Sequence, residues 1–242
     1  MRIIIEKDYN SLSKTASLLV ASQTVLKPDS VLGLATGSTP LGMYNNLIEM
    51  YKRKEVDFSK VTTFNLDEYY GLSANHPQSY NTYMRENFFD HINIPPSQFY
   101  LPKGDTENVT SECYKYEEKI AQAGGIDFQV LGIGENGHIG FNEPDESLNV
   151  QTNLVDLTPQ TIQANSRFFD SFEEVPKQAI SIGIATIMKA KKILLLASGE
   201  NKAEAIAQMT SGYVTTKVPA SLLQTHQDVI LLVDEKAGKL LR

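Results

Sequence analysis

The sequence predicts an α/β fold: three layers, a doubly wound and mostly parallel sheet, and helices on both faces. Three observations carry that expectation. Short apolar runs alternate with helical stretches along most of the chain. The runs are apolar enough to be strands buried on both faces. The 242 residues suit one large domain better than two small ones.

Residues 2–6 (RIIIE) read as the first strand. Asp8 can cap a helix running to about Lys27, which Pro28 stops. Residues 31–36 are an apolar run suited to a buried strand, and Pro40 opens a helix through about Lys54. A strand at 61–67 follows, then a helix at 79–91 ended by Pro95 and Pro96. The helix at 108–123 is closed by Gly124 and Gly125. Strands at 127–134, 193–198 and 228–234 complete the series. Residues 144–176 break the rhythm, being polar with few periodic apolar positions. Long irregular segments inside compact domains are often lids or binding loops. An excursion carrying a short strand or helix fits the pattern equally. No repeat, low-complexity segment or linker divides the chain, so 1–242 is read as a single domain with a lid-like excursion.

Formal net charge is −7. A diffuse acidic excess argues against nucleic acid or an anionic membrane as partner. It leaves an anionic small molecule open, because a pocket's local charge can oppose the total. The single cysteine, Cys113, cannot form an internal disulfide, and no Cys/His cluster points to zinc. Cys113 reads as a small structural hydrophobe. The N-terminal apolar run is too short for a signal peptide. No stretch approaches the ~20 apolar residues of a membrane span. A soluble cytoplasmic protein without a metal is expected.

In open parallel α/β sheets, ligands bind beyond the carboxyl ends of the strands. The predicted strand ends are followed by Thr36-Gly37-Ser38-Thr39-Pro40, by Asp67-Glu68-Tyr69, by Gly134-Glu135-Asn136-Gly137-His138 and by Gly199-Glu200-Asn201-Lys202. Parallel strands would bring all four to one edge. Gly37 permits close backbone approach, Ser38 and Thr39 offer hydroxyls, and Pro40 fits a first helical turn. The free amides and positive dipole end there suit a phosphate. An ordinary capped helix start is the other reading. No Gly-Lys-Ser/Thr follows, so this is not a Walker loop. Lys202 strengthens the phosphate reading, although a solvated surface lysine would look the same.

Asp67 shares the strand face of Thr63 and Asn65 by the period of two. Burial could make it a general base; capping a turn is the alternative. Glu68, pointing the other way, is the competing carboxylate. Gly132-Ile133-Gly134-Glu135-Asn136-Gly137 matches the dinucleotide pattern G-x-G-x-x-G. That reading is discounted, because turn chemistry follows it and Asp156 at the acidic offset lies in the polar segment. His138 and Glu143 sit in the same loop. Histidine shuttles protons near neutral pH, and a carboxylate can fix its tautomer. A loop histidine bonded to backbone is the alternative, and no third metal ligand is evident. Arg167, flanked by aromatics in the excursion, can reach an anion or make a structural salt bridge.

Taken together, the segments LGLATGSTPLGMY, FNLDEYYGL, HPQSY, NFFDHINIP, GIGENGHIGFNEP, ANSRFF and VPASLLQTH resemble the glucosamine-6-phosphate deaminase family. They run in family order over nearly the whole chain, and FNLDEY with GHIGFNEP is the specific pair. The resemblance implies a sugar phosphate substrate and conversion of glucosamine-6-phosphate to fructose-6-phosphate and ammonia, with no cofactor. Asp67 matches the base that takes the C2 proton of the opened sugar. His138 matches the residue that promotes ring opening, held by Glu143. Thr36, Gly37, Ser38 and Thr39, with Arg167 and Lys202, match the phosphate site, and Gly137 is expected beside the substrate.

Two departures qualify the match. Many members carry Asp where this chain has Asn136, so here Glu143 alone supplies charge beside His138. Allosteric hexameric members carry Arg and Lys in the stretch that reads Asn153-Leu154-Val155 here, and continue past the position where this chain stops. The missing basic residues and the earlier stop both suggest an unregulated enzyme, with a monomer among the allowed states. Two alternatives remain: a 6-phosphogluconolactonase-like hydrolase, and a non-catalytic sugar-phosphate sensor.

Overall fold

The computed structural model describes residues 1–166, 169 and 171–241. Strand β1 (Arg2–Glu6) leads into helix α1 (Tyr9–Leu26). Asp8 caps α1 by accepting from the Ser11 amide at 2.8 Å, which satisfies one of the helix's free amides. Then come β2 (Val31–Leu34), α2 (Leu41–Lys52), β3 (Thr62–Asn65), β4 (Asp67–Tyr69) and α3 (Tyr80–Asn87). Next are β5 (Phe99–Tyr100), α4 (Val109–Gln122) and β6 (Phe128–Gly132). The excursion supplies β7 (Asn153–Asp156) and α5 (Pro159–Asn165). The chain ends with β8 (Gln178–Ser181), α6 (Ile184–Met188), β9 (Lys192–Ala197), α7 (Ala203–Met209) and β10 (Val229–Asp234).

Seven strands form the main sheet in the order β1-β10-β9-β6-β2-β3-β5, every pair parallel. Alternation along each strand sorts side chains to two faces. In β9, Leu194 and Leu196 join Leu12, Leu47 and Met84 from α1, α2 and α3. Ile193 and Leu195 meet Tyr116, Ile187 and Ile206 from α4, α6 and α7 on the other face. Burying one such aliphatic side chain contributes about 1.5–3 kcal/mol, so both faces need their helical cover. The predicted three-layer arrangement is therefore what the chain adopts.

The sheet also has a switch point. The crossover from β2 to β3 packs α2 on one face, whereas the crossover from β5 back to β6 packs α4 on the other. The chain leaves β2 and β6 toward opposite faces, so their following loops diverge and leave a crevice between them.

The sequence reading joined what the structure separates. A single strand at 61–67 was expected, but the chain leaves the main sheet at Leu66, whose amide bonds Leu34 O at 3.1 Å. Asp67 then begins a second, antiparallel sheet ordered β4-β8-β7, pairing with Ser181. The expected strand is thus divided between two sheets. The helix expected at 79–91 stops at Asn87 because Phe88 adopts φ −153°. The excursion holds both a strand and a helix. Cys113 is buried in α4. Among the described residues, no helix is long and apolar enough to cross a membrane.

Candidate functional site

A cleft of about 730 Å³ opens over the switch point. Its walls include Thr36–Thr39 after β2, Asp67 at the start of β4, Gly134–Asn136 and His138 after β6, and Lys202 after β9. The four segments that the sequence reading placed at one edge do meet.

The loop after β2 is prepared for an anion. Gly37 has φ 93°, a conformation costly for any residue with a Cβ. Two tyrosines hold its carbonyls. Tyr83 Oη donates to Gly37 O at 2.7 Å, and Tyr9 Oη shares its hydrogen between Ser38 O and Thr39 O, at 3.0 and 3.1 Å. Among the described residues nothing accepts from the amides of Gly37, Ser38 or Thr39. The α2 N-terminus follows directly, without a side-chain cap. Unbonded amides and a helix N-terminus thus adjoin at this loop, a combination that can hold a phosphate.

Lys202 reaches the same cleft from a short turn after β9. Asp234, at the end of β10, sets that turn by accepting from Ser198 Oγ at 2.6 Å and from the Gly199 amide at 3.1 Å. Gly199, at φ 94°, makes the reversal.

Asp67 is 6% exposed, and among the described residues no donor reaches its carboxylate. Burial pushes its pKa to about 8, and the neighbouring Glu68 charge adds to the effect. A carboxyl tuned this way can take a proton near neutral pH. Glu68, equally buried, is instead fully engaged. It accepts from the amides of Tyr69, Tyr80 and Asn81 at 2.8–2.9 Å, and so ties β4 to the start of α3. Burial still raises it to about 7, against those three amides.

His138 depends on its glycines. A Cβ on Gly134 would lie 2.4 Å from the imidazole, so only glycine lets the ring fold over that turn. Glu143 Oε2 lies 3.1 Å from His138 Nδ1. The approach is oblique to the ring N–H, a close polar contact rather than an aligned hydrogen bond. Asn136 Nδ2 donates to Glu143 Oε2 at 2.7 Å, while its Oδ1 accepts from the His138 amide at 3.2 Å. Thr161 Oγ1 donates to Glu143 Oε1 at 2.5 Å. Burial alone would raise Glu143, but His138, Thr161 and Asn136 more than offset it and hold the carboxyl at about 2. The histidine thus faces a carboxylate that stays charged.

Two expectations need comment. Gly137 is not among the residues lining the cleft. It is buried behind the loop at φ 86°, where its carbonyl accepts from the Ala220 amide at 2.9 Å. It shapes the turn that carries His138. Arg167 lies outside the described residues.

The other histidines serve the backbone: His226 Nε2 lies 2.7 Å from Ala190 O, and His91 Nε2 lies 2.7 Å from Glu86 O. Among the described residues, no group of three or more His, Cys, Asp or Glu side chains could hold a metal ion.

Sequence reasoning missed several contributors. Tyr69, Tyr80, Phe141 and Phe169 form an aromatic wall, with Tyr69 and Tyr80 4.7 Å apart and Tyr69 and Phe169 5.8 Å apart. Tyr9 and Tyr83 act from helices distant in sequence, and no local signal marks them. Thr161 had one: Thr158-Pro159-Gln160-Thr161 is a helix-start pattern.

Comparison with known proteins agrees with this geometry. Residues 11–231 match the family model described as glucosamine-6-phosphate isomerases/6-phosphogluconolactonase. The glucosamine-6-phosphate deaminase of Halothermothrix orenii is 66% identical over 241 residues, covering all of both chains. That of Alkaliphilus metalliredigens is 62% identical with the same coverage. The solved structure of a monomeric glucosamine-6-phosphate deaminase superposes with a TM-score of 0.97 at 45% identity, covering 99% of this chain and all of that one. A 6-phosphogluconolactonase from Thermotoga maritima shares the fold at a TM-score of 0.75 and 18% identity, covering 96% of this chain and 99% of that one.

Proposed function

This chain belongs to the glucosamine-6-phosphate isomerase/6-phosphogluconolactonase family, and within it we propose that it is a glucosamine-6-phosphate deaminase. It converts glucosamine-6-phosphate and water to fructose-6-phosphate and ammonia. One observation carries the assignment: a buried carboxyl tuned to about 8, Asp67, shares a cleft with the His138–Glu143 pair and an amide-lined anion loop.

The residues divide the work. The 36–39 amides, the α2 dipole and Lys202 hold the phosphate and so fix the sugar's far end. His138 moves the proton from the C1 hydroxyl to the ring oxygen, opening the pyranose. Glu143 stabilises the imidazolium that forms in passing. Asp67 takes the C2 proton as a proton of the C2 ammonium passes to O1, giving an enol-amine, and then returns its proton to C1. The product is the protonated imine of fructose-6-phosphate. Water adds at C2 and ammonia leaves, completing the balance without a change of redox state. Arg167 is proposed as a further phosphate ligand. Residues 144–176, which supply Gln160, Thr161, Asn165 and Phe169 to the cleft, serve as the lid.

The enzyme acts as a monomer and needs no activator. This rests on the absence of basic residues at 153–155 and on similarity to a monomeric deaminase. The test is ammonia release from glucosamine-6-phosphate by pure protein, assayed beside 6-phosphogluconolactone hydrolysis. Deamination with hyperbolic kinetics, indifferent to N-acetylglucosamine-6-phosphate, is expected. Folded protein that releases no ammonia, or that opens the lactone instead, overturns the assignment.

A further inference from the structure

We infer that Thr161 is a positioning residue for the His138–Glu143 pair, its hydroxyl fixing the carboxylate so that the pair is assembled only when helix α5 is seated. The inference rests on the deaminase reading and deepens it.

Glu143 is held at two oxygens by two different parts of the chain. The groups at Oε2, Asn136 and His138, come from its own glycine-rich loop. The donor at Oε1 is Thr161, from the helix of the excursion. Without it, the loop alone would leave one carboxylate oxygen undirected, and the side chain could rotate about its own bonds. The contact is a charge-assisted O–H···O⁻ bond at 2.5 Å, in the short range such bonds occupy.

The threonine is itself fixed. Thr158, the N-cap of α5, donates from Oγ1 to Thr161 Oγ1 at 3.0 Å and accepts from the Thr161 amide at 3.2 Å. The hydroxyls therefore run in one direction, Thr158 to Thr161 to Glu143, each polarising the next. A helical threonine can instead bond back to the carbonyl four residues earlier, whereas this one is turned to the carboxylate. Thr161 is 8% exposed, so no bulk water stands in for it.

The same helix borders the substrate. Gln160 and Asn165 line the cleft beside Thr161. Displacing α5 would thus withdraw cleft wall and carboxylate donor in one movement. Proton transfer through His138 is then coupled to the seating of the excursion over a ligand. The titratable group against Glu143 is His138. The described residues of α5 carry no charge, and Asp67, Glu135 and Lys202 line the same cleft from the other segments.

The test compares Thr161→Val, Thr161→Ala and Thr161→Ser with the unmodified enzyme. Loss of the hydroxyl should lower kcat about tenfold while KM changes less than about threefold, the pattern of an interaction used in the transition state. Glu143, followed by NMR of its side-chain carboxyl in ligand-free protein, should titrate at higher pH, because it loses a donor that favours its charged form. Thr161→Ser should recover most of the rate and the parent's Glu143 titration. Val and Ala together guard against one replacement failing to fold. Val and Ala variants with kcat within twofold of the parent and an unmoved Glu143 titration overturn the proposal. So does Ser impaired as badly as Val, which would mean a packing role. An unmodified enzyme that releases no ammonia defeats the deaminase reading instead, and the NMR titration of Glu143 still tests the link from Thr161 to the pair.

Discussion

Asp67 and Asp127 are buried to nearly the same degree, 6% and 4% exposed, at opposite ends of the strands. Asp127 precedes β6 at the amino edge of the sheet. It accepts from Lys27 Nζ at 2.5 Å, Lys191 Nζ at 2.8 Å and the Val31 amide at 2.8 Å. Burial pushes its pKa up, but those donors more than offset it and leave the carboxyl below its ordinary range. Asp67, at the carboxyl edge, has no such donor among the described residues and rises to about 8. The difference teaches that burial does not by itself set a carboxyl's role; its donors do. At the amino edge the starts of β2, β6 and β9 are pinned together. At the carboxyl edge a group is left unsatisfied, and folding bears the cost where a ligand will later sit.

The largest effect expected from breaking this contrast is at Asp67. Asp67→Asn should reduce turnover by about 10²–10⁴, the usual contribution of a general base. The same change should stabilise the fold. In the folded protein Asp67 keeps its proton to about pH 8, whereas in the unfolded chain it loses it near ~3.9. Stability contributed by this group is therefore complete below the unfolded value and declines as pH rises through that window. Asn escapes the decline. The variant's advantage in thermal or denaturant melts should be absent at about pH 4, grow to roughly 5 kcal/mol by pH 8, and then level off. An active Asp67→Asn enzyme, or one destabilised at pH 8, would dissolve the contrast.

The reciprocal change is smaller. Asp127→Asn should keep kcat within about twofold while costing about 1–3 kcal/mol of stability at neutral pH, toward the low end because Lys27 and Lys191 are 40% and 64% exposed. Its sign is opposite. Asp127 titrates below its unfolded value, so its contribution is present above that value and is lost as pH falls toward the folded one. Melts of parent and variant should converge in acid.

Smallest is Tyr83→Phe, which frees the Gly37 carbonyl without touching a catalytic group. One neutral hydrogen bond is worth about 0.5–1.5 kcal/mol, so KM should rise about threefold with kcat nearly unchanged. A loss confined to kcat would show that Tyr83 does more than hold the anion loop.

How much of this was readable beforehand depended on distance along the chain. The parallel strands β2, β6, β9 and β10 announce themselves as apolar runs, because burial on both faces leaves no room for polar alternation. β7 and β8 form a small sheet with part of their surface open to solvent, so their composition is mixed and they were passed over. The strand read at 61–67 was over-extended, because local pattern cannot register that Asp67 finds its partner in Ser181, far along the chain. In the site, glycines, Asp67, His138, Glu143 and Lys202 carried local signals. Tyr9, Tyr83 and Asp234 did not, since each acts on a loop it meets only in space.

The sequence by itself determined the α/β class, the single edge where chemistry gathers, and the residue types available there. Hydrophobic periodicity and turn chemistry act over a few residues and leave a local record. Tertiary structure alone decided which carboxylate is paired and which is left without donors, and that Glu143 is clasped from the excursion by Thr161. Those outcomes depend on desolvation and hydrogen bonds between segments that meet only once the sheet has assembled.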